Sequence, residues 1–325
     1  MITNNFTRRH NGVSNASEVE KMLKVIGVSS VDELIDKTIP AAIRLPKPLN
    51  LPDGMNEYEF LNHIKELASK NKIYKTYIGM GYYNTITPAV IMRNIFENPG
   101  WYTAYTPYQP EVSQGTLRYI FEYQSMMTEL TGMDISNASM YDGTTACAEA
   151  MMMAIAAGKK AQRILVSETV SPVVRGVLDT YALHQDIAIE TIAASEGITD
   201  FSVLQEKLKE GGVAGVIVQQ PNVYGIVEDY SGFADACHDN KSLFIMHAVA
   251  SDLALLKTPG EWGADIACGD AQSLGIPVGY GGPYIGYLCT TKALIRKMPG
   301  RLVGETVDAA GQRCFVLTMQ AREQH

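Results

Sequence analysis

Short apolar runs mark the strands in the second half of the chain. The runs at residues 163–166, 213–218 and 243–246 are β-branched and do not alternate with polar residues, as is typical of strands buried on both faces. Predicted helices separate these runs, at residues 172–181, 201–209 and 232–239. Because strands that alternate with helices form a parallel sheet, the pattern predicts an α/β protein with a mostly parallel sheet flanked by helices.

The sequence also predicts the helix and strands on either side of this repeat. Residues 112–131 form an amphipathic pattern that ends at Gly132, as a helix with a glycine C-cap would. Two further strand candidates, residues 265–267 and 284–288, lie on either side of a glycine-rich turn and would complete the sheet.

The N-terminal part of the chain has a purely helical pattern. Amphipathic runs occur at residues 16–26, 30–37 and 57–70, and the first two are preceded by serine or asparagine residues that cap helices. We therefore expect a helical extension at residues 1–75, followed by one large α/β domain at residues 76–325.

Composition narrows the kind of protein. No apolar run reaches the roughly 18 to 20 residues that span a bilayer, so a membrane protein is not expected. The net charge of −8 and the scattered basic residues argue against a nucleic-acid partner. The start lacks the apolar core of a secretory signal, which predicts a cytoplasmic protein. The five cysteines have no metal-binding spacing, so we interpret them as free buried thiols and predict no metal site.

Three stretches carry candidate chemistry, each with an alternative structural role. Residues 142–145 (Asp-Gly-Thr-Thr) open a helix and could bind a phosphate or simply cap the helix. Tyr82 and Tyr83 lie among glycines and could reach a polar ligand or pack in the interior. Residues 105–111 are aromatic and proline-rich, which favours an interface. His247 lies at the end of a predicted strand, where open α/β sheets bind ligands, but a lone histidine there more often has a structural role.

Several longer strings resemble a known family. Residues 77–88 (YIGMGYYNTITP), 98–111 (NPGWYTAYTPYQPE), 137–143 (NASMYDG) and 269–277 (GDAQSLGIP) closely resemble the P-protein of the glycine cleavage system, a glycine decarboxylase. The resemblance implies a fold like that of the fold-type-I pyridoxal-phosphate-dependent transferases. It also implies decarboxylation of glycine and transfer of the aminomethyl group to the lipoyl arm of the H-protein. In many members two homologous subunits share this work.

The chain departs from the cofactor-bearing subunit at three positions. Gln272 stands where the resemblance places the Schiff-base lysine, and a glutamine amide cannot form an imine. Val249 and Cys147 stand where an aspartate and a histidine would contact the cofactor ring, although Asp252 lies close to the first of these positions. The resemblance therefore implies the subunit without the lysine, or the equivalent half of a fused chain. Pyridoxal phosphate would be held by the partner half, with none bound covalently by this chain.

The resemblance leads to a glycine dehydrogenase (decarboxylating) that is active only as a complex, so the isolated chain is predicted to be inactive. The expected contacts to the partner's site come from five residues, Tyr82, Tyr83, Tyr108, Gln109 and Glu111. Gly281 and Gly282 would approach the partner's phosphate through bare backbone.

Two alternatives stay open. The chain could be an assembly scaffold that contributes nothing to the active site. It could also bind pyridoxal phosphate noncovalently at residues 142–145. Because the chain stops at His325, where the family continues, a small C-terminal domain is expected to be missing.

Overall fold

The computed structural model describes residues 10, 15–52, 54–75, 77, 79–101, 107–158, 160–279 and 282–319. The chain divides into two compact units, residues 1–76 and 77–325.

The first unit contains the three predicted helices. They are α1 (Ala16–Ile26), α2 (Val31–Thr38) and α3 (Glu57–Ser69). Each begins at a side chain that accepts a hydrogen bond from the first turn, supplied by Asn15, Ser30 and Asn56. None of the three helices contains a buried residue, so capping and local hydrogen bonds define them more than a core does.

The second unit is built on a mixed, mostly parallel sheet. Within the described residues, seven strands pair in the order β1-β9-β8-β7-β6-β2-β3, with β1 and β9 antiparallel to their neighbours. These strands are β1 (Ile135–Ser136), β2 (Arg163–Ser167), β3 (Ala188–Ile192), β6 (Val213–Gln220), β7 (Leu243–Ala248), β8 (Ile266–Asp270) and β9 (Gly286–Thr290). Two small hairpins complete the strands, formed by β4 (Ala194–Ser195) with β5 (Ile198–Thr199) and by β10 (Leu302–Val307) with β11 (Arg313–Thr318).

Helices cover this sheet. They are α4 (Gln114–Thr131), α5 (Gly143–Ala157), α6 (Pro172–Ala182), α7 (Phe201–Lys209) and α8 (Phe233–Asp239), preceded by one helical turn at Ala89–Ile91 that continues as Met92–Phe96. No helix in the described part of the chain combines the length and apolar composition that crossing a membrane would require.

Apolar clusters lie on both faces of the sheet. Along β7, Ile245 joins the cluster under α5 and α6, whereas Phe244 and Met246 join the cluster under α7 and α8. Successive strand residues point to opposite faces, so both sets are fully buried. The central strands are therefore buried on both sides, which confirms the prediction from their unalternating apolar runs.

Some elements differ from the sequence-based prediction. The helix predicted at residues 112–131 begins at Gln114, because residues 110–112 form a 3₁₀ turn. The strand predicted at residues 284–288 lies at Gly286–Thr290 and runs antiparallel. The edge strand β3 and the hairpin β10–β11 were not predicted, because both mix polar and apolar residues on half-exposed surfaces.

Several glutamine side chains connect separate elements of the second unit. In each case the side-chain amide donates to the carbonyl oxygen and accepts from the N–H of one residue, as a neighbouring strand would. The pairs are Gln114 with Phe315 (2.8 and 2.8 Å), Gln124 with Val303 (3.0 and 2.9 Å) and Gln220 with Glu228 (2.9 and 3.0 Å).

Candidate functional site

The carboxyl ends of the parallel strands β7 and β8 meet at one edge of the sheet. Open α/β sheets place their ligand sites outside such an edge. Strand β8 ends at Asp270, and helix α5 begins beside it, because the N–H of Gly143 donates to Asp270 Oδ1 at 2.7 Å. This edge therefore combines a helix N-terminus with a buried carboxyl group.

The N-terminus of α5 is closed by side chains of the chain itself. Asp142 Oδ1 accepts from the N–H of Thr145 at 2.8 Å and from the Thr144 hydroxyl at 2.5 Å. Although burial raises the pKa of Asp142, the hydrogen bonds from Thr144 and Thr145 bring it below its usual value. The cap interpretation of residues 142–145 is confirmed, and two carboxyl groups occupy the positions where an anion would bind.

Asp270 fits tightly against this helix start. A Cβ atom on Gly143 would lie 2.6 Å from both the carboxyl carbon and the backbone nitrogen of Asp270. Burial raises the pKa of Asp270, and the nearby His247 and the Gly143 N–H offset part of that increase. Only glycine can occupy position 143 with the helix seated in this way.

Gln272 makes a further glutamine pair of this kind among the described residues. Its side chain is 1% exposed, donates to Tyr83 O at 2.9 Å and to Ile276 O at 2.5 Å, and accepts from Tyr83 N at 3.1 Å. The Thr87 hydroxyl extends this attachment by donating to Gly275 O at 2.9 Å. The amide at the position that the resemblance gives to the lysine thus ties residues 79–88 to the loop after β8.

Tyr82 and Tyr83 have different surroundings. Tyr82 is exposed, and its ring lies 5.4 Å from that of Tyr284. Tyr83 is half-buried, and burial together with the Asp252 carboxyl raises its pKa. Tyr284 donates its hydroxyl hydrogen to Gly81 O, which links the turn at Gly81 to the segment after the glycine-rich loop.

A small cavity of about 50 Å³ lies between these segments. Tyr82, Gln272, Gly282 and Tyr284 are among the residues that line it. The structure therefore brings together three of the predicted positions, Tyr82, Gln272 and Gly282. Gly281 lies outside the described residues.

The other predicted residues lie apart from Gln272 at the start of α4. Tyr108, Gln109 and Glu111 are exposed. Arg301 donates to the Tyr108 hydroxyl at 2.6 Å, and its guanidinium carbon lies 4.7 Å from the centre of the Tyr108 ring. Gln109 and Glu111 flank Pro110, a buried residue that anchors the loop.

An open cavity of about 750 Å³ extends between the start of α5 and Arg301. Its walls include Thr145, Tyr181, Tyr284 and Arg301. Tyr284 lines both this cavity and the small one beside Gln272. Tyr108 contacts Arg301 on the wall of this larger cavity, whereas Tyr82, Gln272 and Gly282 line the small one, and Tyr284 is common to both cavities.

The three positions that depart from the cofactor-bearing pattern occupy the same edge. Cys147 is fully buried on α5, and Val249 follows β7. Asp252 lies in the 3₁₀ turn Ala250–Ala254, where burial raises its pKa. Sequence reasoning missed Asp270, Tyr284 and Arg301 as site residues, since each acts through a contact with a distant part of the chain.

Solved structures show the class of fold. A crystal structure of glycine decarboxylase (P-protein) of the glycine cleavage system, in inhibitor-bound form, matches with a TM-score of 0.87 and 41% identity, over 95% of this chain and 69% of that one. The Burkholderia pseudomallei sphingosine-1-phosphate lyase matches with a TM-score of 0.56 and 11% identity, over 88% and 69% of the two chains. The predicted α/β fold, of the fold-type-I pyridoxal-phosphate-dependent class, is thereby confirmed.

Sequence comparison shows the family. The model of the glycine cleavage system P-protein matches residues 8–325, and the chain belongs to this family. The probable glycine dehydrogenase (decarboxylating) subunit 1 of Bacillus cereus (strain B4264) is 48% identical over 309 residues, covering 94% of this chain and 68% of that protein. The glycine dehydrogenase (decarboxylating) of Nostoc sp. (strain PCC 7120) is 46% identical over 323 residues, 99% of this chain but 32% of that protein. The chain thus spans about a third of one relative and two thirds of the other.

Proposed function

We propose that this chain is the subunit of a glycine dehydrogenase (decarboxylating) that carries no Schiff-base lysine. It would work with a homologous, cofactor-bearing P-protein subunit that decarboxylates glycine and transfers the aminomethyl group to the lipoyl arm of the H-protein. On its own the chain would be inactive. The relatives named above support the activity, and a cytoplasmic location remains a prediction.

The state of Gln272 is the observation that carries this proposal. Its amide cannot form an imine, and both of its polar atoms are already bonded to backbone groups. An amide that is buried and fully paired is a structural element, since removing it would leave backbone groups unsatisfied. In this chain, position 272 therefore serves to attach residues 79–88 to the loop after β8.

The helix start gives independent support. A bound phosphate needs free N–H groups at a helix N-terminus, but the N–H groups of Gly143 and Thr145 already donate to Asp270 and Asp142. Two nearby carboxyl groups would also repel an anion. These residues do not fit pyridoxal phosphate, which argues against the noncovalent alternative.

The chain's own contribution would come from the rim of the 750 Å³ cavity. Tyr82 and Tyr83 belong to the segment on the Gln272 side, where Tyr284 lines both cavities. Tyr108, Gln109 and Glu111 belong to the loop that Arg301, on the wall of the larger cavity, contacts through Tyr108. We propose that these residues close the partner's site against water and position its substrate. Gly281 and Gly282 would let the backbone approach the partner's phosphate.

Glycine-dependent bicarbonate exchange with lipoylated H-protein tests the assignment. Three samples are assayed: this chain alone, the homologous cofactor-bearing subunit alone, and the two together. We expect exchange only when both subunits are present, and no visible absorbance of bound pyridoxal phosphate from this chain. Exchange or cofactor absorbance from this chain alone would overturn the proposal.

Conservative variants separate a composite site from a scaffold. Tyr82→Phe and Tyr83→Phe are compared with Tyr224→Phe, which changes an exposed tyrosine in a loop outside the cavity. Lower turnover in the first two with unchanged co-purification of the subunits supports the composite site. Unchanged turnover in all three variants would favour the scaffold.

A further inference from the structure

Three metal-ligating side chains converge beneath the functional edge although they are far apart in sequence. In the parallel pairing of β7 with β8, His247 lies directly opposite Cys268. Both side chains point to the face covered by α5, from which Cys147 projects. The cluster therefore joins one helix to two adjacent strands.

The spacing of the ligand atoms suits one ion. One nitrogen of His247 and the two sulfur atoms all lie within 4.8 Å of one another. A tetrahedral zinc ion, with Zn–S of about 2.3 Å and Zn–N of about 2.0 Å, holds such ligand atoms roughly 3.5 to 3.8 Å apart. Small side-chain rotations would bring the three ligand atoms from within 4.8 Å of one another to these tetrahedral distances.

Burial distinguishes this cluster from a chance grouping at the surface. Cys147 and Cys268 are 0% exposed and His247 is 4% exposed. His247 Nδ1 is buried and has no hydrogen-bond partner in the part of the chain that the structure describes. A buried ring nitrogen without a partner costs free energy that a bound ion would recover.

Charge balance selects the ion. Two thiolates and a neutral imidazole carry two negative charges, so a divalent cation leaves no net charge in the interior. Sulfur and imidazole ligands favour zinc over magnesium or calcium, which prefer oxygen. A monovalent soft cation would leave one buried negative charge.

We propose that Cys147, His247 and Cys268 bind one zinc ion, which fastens α5 to strands β7 and β8. The three ligands come from the described chain, and the fourth position takes a small exogenous ligand such as water. The site is structural, since it lies within the apolar cluster under α5 and not on the wall of the open cavity. It is independent of the function proposed above.

Metal content after refolding tests this proposal. Because the cluster is buried, the chain is unfolded with chelator and refolded with or without equimolar zinc before desalting. We expect about one zinc ion per chain and a higher unfolding temperature in the zinc-refolded sample. Refolding with Co²⁺ should give sulfur-to-cobalt charge-transfer absorbance and the strong visible bands of tetrahedral coordination.

The variants Cys147→Ala, His247→Ala and Cys268→Ala should abolish zinc retention. Cys289→Ala is the matched control, since Cys289 is equally buried on the neighbouring strand β9 but belongs to the cluster on the opposite face. It should keep about one zinc ion per chain. If a ligand variant fails to fold, the Co²⁺ spectrum of the unmodified chain still shows whether sulfur atoms bind the metal.

Two results would overturn the zinc site. One is a refolded chain that retains zinc no better than the His247→Ala variant and gives no cobalt–sulfur absorbance. The other is a metal-free chain whose intact mass has lost two hydrogen atoms in a Cys147–Cys268 disulfide, which would make the pair a redox element instead.

Discussion

Two regions of the candidate site use their polar groups in opposite ways. Around Gln272 and Asp270, buried amide and carboxyl groups are bonded to the chain's own backbone. Around Tyr108, Gln109 and Arg301, polar side chains are exposed, and few of their hydrogen-bonding positions are used by the residues that the structure describes. The first region holds segments of the fold together, and the second is the one we propose to contact another molecule. This contrast predicts that substitutions in the first region act on stability and those in the second on activity.

The largest effect is expected at Gly143. The Gly143→Ala variant places a Cβ atom 2.6 Å from Asp270, so the helix start must shift, and we expect a loss of about 2–3 kcal/mol in the free energy of unfolding. Gly176→Ala is the control, since this glycine in α6 has open space around it. That variant should gain about 0.5–1 kcal/mol. Urea unfolding of both proteins measures the difference, and equal stabilities would contradict the closed helix start.

The next effect is expected at Gln272. Gln272→Ala leaves the N–H and carbonyl of Tyr83 and the carbonyl of Ile276 without partners, which should cost about 1–2 kcal/mol. Gln109→Ala removes the same side chain from an exposed position and should change stability by less than about 0.5 kcal/mol.

Gln272→Lys extends this test. It should lose at least as much stability as Gln272→Ala, because it also buries an ammonium group. It should not bind pyridoxal phosphate, because the carboxyl groups at the helix start remain. Denaturant unfolding and a visible spectrum measure both properties. Tight binding of the cofactor by this variant would show that the helix start is less closed than its hydrogen bonds indicate.

A smaller, pH-dependent effect is expected at Asp142. Its folded pKa lies below the ordinary value of 3.8, so its charge stabilises the fold above that pH, and the contribution is lost as pH falls through the folded pKa. Asp142→Asn keeps a helix cap but removes the charge, which should cost about 0.5 kcal/mol at neutral pH. The difference from the unmodified chain should begin to shrink below about pH 4 and disappear once the pH is below the folded pKa of Asp142. Thermal unfolding across this range checks the sign, and a difference that grows on acidification would refute it.

The smallest effect on stability is expected at Tyr108. Tyr108→Phe keeps the ring beside Arg301 and removes one exposed hydrogen bond, so the unfolding free energy should change by less than about 0.5 kcal/mol. If this region acts on the partner's site, exchange by the assembled enzyme should still fall by about tenfold. Unchanged exchange would leave Tyr108 outside the composite site.

Local patterns predicted most of the fold. The central strands were predictable because residues such as Val216 and Ile245 form unalternating apolar runs, and the first helices were predictable from their caps. Strand β3 was not predicted because it carries the charged Glu190 in its middle, which forms an ion pair with Arg163 at a half-exposed edge. Such a strand has neither the apolar run nor a clean alternation.

The candidate site was predictable only in part. The importance of position 272 came from the resemblance, but the pairing of its amide with Tyr83 spans 189 residues and leaves no local pattern. The contact of Arg301 with Tyr108 spans 193 residues. The cluster of Cys147, His247 and Cys268 likewise arises from strand register and helix placement, so spacing in the sequence could not indicate it.

The glutamine pair at position 272 also has a consequence for motion. Tyr83 lies outside every helix and strand, where backbone N–H groups usually exchange with solvent through frequent local openings. Here its N–H and its carbonyl are bonded to one buried amide, so neither bond can open without disturbing the other. Residues 79–88 and the loop after β8 should therefore open as one cooperative unit, with hydrogen exchange at Tyr83 much slower than an irregular segment would suggest.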